Sequence, residues 1–353
     1  MWYRLLRRRF SSIDGRYRPA FSLLELTVAV AILALLASLI LMGVQWSREV
    51  ARRLECQNHL AQQAQAIHAH VDAFKKLPDN GMDDRERKQP KFGRYLAHPT
   101  YFLHLIPFLG KEALYQREMY PGPPGVYIIS YEQLQRELKK YRLSEARCPS
   151  DPGEGLINYR ACAGTTYVIF SYEHLQNGAF PVYSYSIIVR PEDIRDGLSN
   201  TIGLSEKKVG RHFGVYNPDT DAWIGGIKLF DWDLWLPVTY APIDDRMEEL
   251  VKRCSAAPPR PPFFYDFPGG TWRSAYMNAT AYNHIFPPNS RIPDCLPFSV
   301  VNIQALSASS YHPRGVNGLF LDGAVRFVSS DISLEVWRAW GTRSGSEMAG
   351  VLP

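Results

Sequence analysis

The chain has 353 residues, 46% hydrophobic and 13% aromatic, enough for one large or two modest globular units. Its formal charge of +5 arises within residues 1–20, where Arg4, Arg7, Arg8, Arg9, Arg16 and Arg18 face one acid, Asp14. The remainder is near neutral, so net charge gives no support to nucleic-acid binding.

Residues 1–20 form a basic leader. Phe21-Ser-Leu-Leu-Glu25 follows, then Leu26 to Val44, apolar apart from Thr27 and Ser38. That length matches the roughly 20 residues that a helix needs to cross a bilayer core. A helix is the form in which a single span pairs all its backbone groups. Glu25 is a carboxylate at the start of the span, costly without a partner and therefore a candidate site residue. A secretory cleavage site follows a shorter apolar core; here Gln45-Trp46-Ser-Arg48 follows a longer one. The leader's arginines mark the cytoplasmic side, which sends the chain beyond Val44 across the membrane.

This arrangement of basic leader, hydrophobic residue, Ser, two aliphatics, Glu and apolar helix resembles the type IV prepilin and pseudopilin signature. The resemblance implies cleavage between Ala20 and Phe21 by a prepilin peptidase, although the family normally has Gly where this chain has Ala20. It also implies N-methylation of Phe21, and pairing of Glu25 with the terminal amine of a neighbouring subunit during filament assembly. The implied place is the inner membrane, single-pass, with the amino terminus cytoplasmic and the head periplasmic. Membrane lipid, the peptidase and other pilin-like subunits are the implied partners, and nucleic acid is not one. An uncut signal anchor is the alternative reading of the same stretch.

The helical pattern continues past the span. Val50, Leu54, Ala64, Ile67, Val71 and Phe74 fall at spacings that make an apolar stripe, and Leu77-Pro-Asp-Asn-Gly81 ends it. One helix is therefore expected over residues 21–76, with its transmembrane half at 21–45, and a globular head over 77–353. A charged loop at 83–91 comes next, then a short kinked helical segment from Tyr101 to Tyr115, a turn at 121–125 and a surface helix at 131–141. From Tyr167 on, β-branched and aromatic runs at 167–170, 183–189 and 201–205 read as an antiparallel sheet. Residues 215–296, rich in Pro, Trp, Tyr and Asp, read as a loop-dominated insertion. Asp322-Gly323 between alternating runs reads as a two-residue hairpin turn. The fold expected is α+β and pilin-like, with one long helix packed on a mostly antiparallel sheet.

Five cysteines in an oxidising compartment favour disulfides. The pairing favoured is Cys56–Cys148 and Cys254–Cys295, which leaves Cys162 over. Sequence alone does not decide connectivity.

Several blocks resemble a subfamily of prepilin-like proteins, the domain of unknown function family 1559. Its C-terminal signature is His, nine residues, then Asp-Gly, and His312, Asp322 and Gly323 keep that spacing. Further matching blocks are Arg52-Arg53…Cys56-Gln-Asn58…Leu60, Leu105-Ile-Pro-Phe-Leu109, Cys148-Pro-Ser-Asp151, Asp196-Gly-Leu-Ser-Asn-Thr201…Glu206 and Gly341-Thr-Arg-Ser-Gly345. The resemblance implies a pilin-like envelope protein and names no activity.

Other constellations read as structural. His312 and Asp322 fit a capping His and a turn Asp, and His68 and His70 point to different helix faces. No metal site is assigned and no cofactor is expected. Calcium is hinted at by Asn217-x-Asp219-x-Asp221, but Ala222 and Lys228 stand where a calcium loop of the EF-hand type needs Gly and Glu. No nucleophile elbow, zinc-protease pair or phosphate loop is present, so no enzyme is expected. The aromatics Trp223, Trp232, Trp235, Phe263, Phe264, Tyr265 and Trp272 read as packing. They also offer the alternative function, an anchored periplasmic binding module for a glycan or envelope protein. The function expected is a pilin or pseudopilin subunit of a type II secretion or type IV pilus-like filament.

Overall fold

The computed structural model describes residues 22–81, 100–119, 142–166, 176–182, 187–210, 215–224, 245–256, 264–265, 269–270, 272, 277–299 and 303–345. The leader, Ala20, Phe21, the loop 83–91, the turn 121–125, the helix expected at 131–141 and the strand expected at 167–170 lie outside them. So do Lys228, Trp232, Trp235, Phe263 and most of the run 183–189. The chain divides into two compact units, Met1–Arg48 and Glu49–Pro353. One helix, α1 (Leu23–Phe74, 52 residues), runs through the boundary and is about 80 Å long.

In the first unit α1 is apolar and exposed, with Leu26, Leu33, Ile40 and Met42 all presented outward. It is the one helix among the described residues long and apolar enough to cross a membrane. Its two hydroxyls are satisfied within the helix: Thr27 Oγ1 donates to Leu24 O at 2.9 Å and Ser38 Oγ to Leu35 O at 2.7 Å. Ser22 caps its start.

The second unit is the head. In chain order it holds α2 (Tyr101–Leu105), α3 (Glu112–Met119), β1 (Tyr159–Cys162), β2 (Ile202–Glu206), β3 (Ala222–Ile224), α4 (Asp245–Ser255) and β4 (Phe264–Tyr265). Then come α5 (Met277–Thr280), β5 (Ala281–Tyr282), β6 (Cys295–Ser299), β7 (Ile303–Ala305), β8 (Gly315–Phe320), β9 (Val325–Ser329) and α6 (Leu334–Ala339). One sheet has the order β5-β1-β2-β8-β9, antiparallel except where β1 meets β5. A second has the order β4-β3-β6-β7, with β3 and β6 parallel. Long helix and mostly antiparallel sheet together make the α+β arrangement expected from the sequence.

The five-stranded sheet is covered on both faces. Tyr159, Ala161, Leu204 and Leu319 pack with Cys56, Leu60, Ala64 and Ile67 of α1. Cys162, Ile202, Val316 and Phe320 pack on the other side with Trp337 of α6. Ile202 and Leu204, two apart, would share a face in a regular strand. A bulge between them sends them to opposite faces.

Two expectations need correction. The buried residues of α1 are Cys56, His59, Leu60, Gln63, Ala64, Ala66, Ile67 and His70, whereas Val50, Leu54 and Phe74 are exposed. Polar side chains belong to the buried face because backbone carbonyls wait for them there. Gln63 Nε2 donates to Glu145 O at 2.6 Å, and His59 Nδ1 lies 3.0 Å from Arg147 O. The hairpin turn is also not a two-residue one. Phe320 N donates to Ala324 O and Gly323 N to Phe320 O, both at 2.9 Å, which leaves three residues in the loop. Positive φ occurs at Gly323 (95°) and not at Asp322, as in a type I turn closed by a glycine bulge.

Within 215–296, read above as loop-dominated, the described residues hold β3, β4, β5 and the start of β6, so this stretch supplies much of the second sheet. Trp272 is fully buried against Phe102 and Trp223 is partly buried. Phe264 and Tyr265 form β4.

Candidate functional site

The β8–β9 hairpin lies along α1 and grips it at both ends, through His312 before β8 and through the Leu321 carbonyl just ahead of Asp322-Gly323. Glu49, Arg53, Gln57 and His68 of α1 face it in turn. His312 Nδ1 lies 2.6 Å from Glu49 Oε1. The Arg53 guanidinium stacks 3.6 Å over the Phe327 ring, and Gln57 Nε2 donates to Asn317 Oδ1 at 3.0 Å. His68 Nε2 meets Leu321 O at 2.9 Å, beside the turn. His312 and Asp322 therefore do not meet: β8 stands between them, about 20 Å of strand.

At the tip, three of the blocks named from the sequence converge. Asp322 Oδ1 accepts from Ala324 N at 2.9 Å and so shapes the turn. Leu321 N donates to Thr201 O and Asp322 N to Leu198 O. Asp196 Oδ2 in turn accepts from Thr342 Oγ1 at 3.0 Å and Gly345 N at 2.8 Å.

The other end is a buried polar cluster. His312 precedes β8, with Ser310 Oγ accepting its backbone N–H at 2.9 Å. Its Nε2 lies 3.2 Å from Glu206 Oε1 on β2 and 3.4 Å from Cys148 Sγ. Burial opposes charge on this imidazole. Glu206 and then Glu49 outweigh that effect and hold the pKa above its ordinary value. Burial likewise opposes charge on Glu49, and His312, Arg52 and Ser150 overcome it, so its pKa is lowered. Glu206 is itself fixed by β8, accepting from Asn317 N at 2.8 Å and Asn317 Nδ2 at 2.9 Å.

Cys148 is bonded to Cys56 of α1, closing a 92-residue separation with the Cα atoms 5.2 Å apart. Cys254 of α4 is bonded to Cys295 of β6, and Cys162 is free and buried. Asp151 folds the loop after Cys148, accepting from Gly153 N at 2.7 Å and Asn158 Nδ2 at 2.6 Å. Ser150 Oγ reaches back to Glu49 Oε2 at 3.2 Å.

Elsewhere, Ser22 and Glu25 form a capping box: Ser22 N donates to Glu25 Oε2 at 2.9 Å and Glu25 N to Ser22 Oγ at 3.2 Å. The Ser-x-x-Glu spacing before an apolar run is the signal that reveals it. Asn217, Asp219 and Asp221 bond within their own loop, Asn217 N to Asp221 Oδ2 at 2.7 Å and Asp219 N to Asn217 Oδ1 at 3.1 Å. Glu49 belongs to the cluster although no motif singled it out. It reads as the ordinary partner of Arg52 one turn on, and that pair exists at 2.7 Å.

The family described as "Protein of unknown function (DUF1559)" matches residues 45–335. The match includes the clamp and leaves residues 20–25 outside it. No curated protein and no solved structure matches the chain.

Proposed function

The chain belongs to the DUF1559 family, and from that premise we propose that it is a pilin-like structural subunit, anchored by α1 in the inner membrane and assembled into a filament with other pilin-like chains. The observation that carries this reading is the division of labour along α1. Its apolar half is exposed, while its polar half is bolted to a folded head through a disulfide and the His312 cluster. A subunit drawn from a bilayer into a filament needs such a helix, free at one end and immovable at the other. Trp46, Val50 and Leu54 recur every four residues on the helix and stay exposed, which suits packing against neighbouring helices.

On this reading Phe21 is the mature amino terminus and Glu25 neutralises the amine of the next subunit, since either charge alone is costly in lipid. The arginine-rich leader stays cytoplasmic and the head lies in the periplasm. The capping box gives Glu25 a second, local role, and a pair of variants separates the two. Glu25→Ala is expected to abolish recovery of the chain in sheared filaments, and Ser22→Ala, which removes the cap alone, to leave it. Equal recovery of both would reduce Glu25 to a helix cap.

Ala20 in place of the usual Gly favours a second reading, an uncut anchor whose head binds an envelope component. The burial of Trp272 takes one aromatic out of any binding surface.

A further inference from the structure

The cluster at the foot of the hairpin holds more donor atoms than clamping α1 requires. The sulfurs of Cys56 and Cys148, a carboxylate oxygen of Glu206 and a ring nitrogen of His312 lie within 4.8 Å of one another, and all four residues are buried. We propose that, while the two cysteines are thiols, these side chains form a closed tetrahedral site for a zinc-class divalent cation, which the disulfide later replaces.

Two of the six donor pairs already have the spacing of a coordination shell, and every pair lies within 4.8 Å. With Zn–N and Zn–O near 2.0 Å and Zn–S near 2.3 Å, tetrahedral ligands stand about 3.3 Å apart for an N–O pair and about 3.5 Å for an N–S pair. His312 Nε2 is 3.2 Å from Glu206 Oε1 and 3.4 Å from Cys148 Sγ. The two sulfurs have to separate to about 3.8 Å, the S–S spacing of a tetrahedral zinc, which loss of their bond allows, and the remaining donor pairs, within 4.8 Å, have to draw in around the ion.

The surroundings are those of a metal site as well. Glu49 engages His312 Nδ1 at 2.6 Å and so turns Nε2 toward the sulfurs, the carboxylate–histidine–metal arrangement. Glu206 is oriented by both nitrogens of Asn317, whose Oδ1 is held by Gln57. Two thiolates with an imidazole and a carboxylate suit zinc better than calcium or magnesium. Four protein ligands leave no open position, which makes the site structural.

Cysteines are synthesised as thiols, so the four donors are all available in a head that folds before it is oxidised. Exchange with a disulfide of a partner oxidant then forms the Cys56–Cys148 bond, passes two electrons to that disulfide, leaves the oxidant as a dithiol and releases the cation. The long helix is thereby stapled to the head in both states. None of this depends on the filament reading.

The test uses the full-length protein in detergent, reduced with a trialkylphosphine. Phosphorus supplies two electrons to the S–S bond, and water supplies the oxygen of the phosphine oxide and the two thiol protons. Co²⁺ serves as the probe. One equivalent is expected to bind with a thiolate-to-cobalt charge-transfer band, to be displaced by Zn²⁺, and to be refused by the oxidised protein. The double variant Cys56→Ser/Cys148→Ser should abolish the band and the double variant Cys254→Ser/Cys295→Ser should keep it. The positioning variant Glu49→Gln should weaken binding by roughly 10- to 100-fold, and His312→Ala and Glu206→Gln, which delete ligands, by at least as much. Cobalt bound without the band, or a band indifferent to His312→Ala and Glu206→Gln, overturns the assignment. Should reduction unfold the chain, Co²⁺ must restore the native circular dichroism; failure to do so also overturns it.

Discussion

Gly323 shows how little freedom the tip of the hairpin has. Its φ is 95°, and a Cβ there would sit 3.0 Å from Cε1 of His68. Gly323→Ala is expected to cost about 1–2 kcal/mol from backbone conformation alone, read as a lower Tm of the full-length protein in detergent. An unchanged Tm would mean that the turn re-forms without loss. His284 makes a second residue-scale prediction. It is fully buried, stacked 3.6 Å from the Trp337 ring, with Nδ1 2.5 Å from Trp337 O and Nε2 3.0 Å from the Tyr282 hydroxyl. Both contacts suit a neutral ring, and burial pushes its pKa down to about 3. A folded-state pKa below the unfolded value of about 6.5 means that stability is complete above that pH. It is then lost by about 1.4 kcal/mol per pH unit on the way down toward 3. Urea titrations should show a shallower acid slope in His284→Asn than in the parent; parallel slopes would contradict the assignment.

At the scale of the element, α1 is two helices in chemical terms, and the sequence displays one of them far better than the other. The first half is legible because an unbroken apolar run long enough to cross a membrane stands out in any sequence. The half that joins the head hides its register, since Gln63, His59 and His70 are buried on it and Val50 and Leu54 are not. Apolar periodicity locates a face only where the opposing surface is itself apolar, and here backbone carbonyls at 145 and 147 oppose it. Leu54→Glu is accordingly expected to change the stability of the head by no more than about 0.5 kcal/mol. The same substitution should prevent filament recovery, since it charges the exposed face. A large drop in Tm would place Leu54 in the core after all. The disulfide bears on the same element: closing a 92-residue separation, it should contribute about 4.6 kcal/mol by restricting the unfolded chain. Cys56→Ser, followed by chemical denaturation of the metal-free protein, checks that figure.

For the whole molecule, the long helix, the mostly antiparallel sheet and the β8–β9 hairpin were readable, because each rests on local periodicity or turn chemistry. The second sheet was not, since β3 and β4 are three and two residues long and lie among prolines. The site was half readable. His312, Asp322 and Gly323 stood out by spacing, but the partners that give them meaning, Glu49 and His68, are ordinary helix residues made special by the strand beside them. His312 and Asp-Gly have nine residues between them because a hairpin arm of that reach spans the stretch of α1 it must hold. If this clamp serves to carry a processed, assembling helix, the protein drawn from its native membrane should begin at N-methylated Phe21 when its N-terminal mass is measured. A chain that still begins at Met1 would rule that role out.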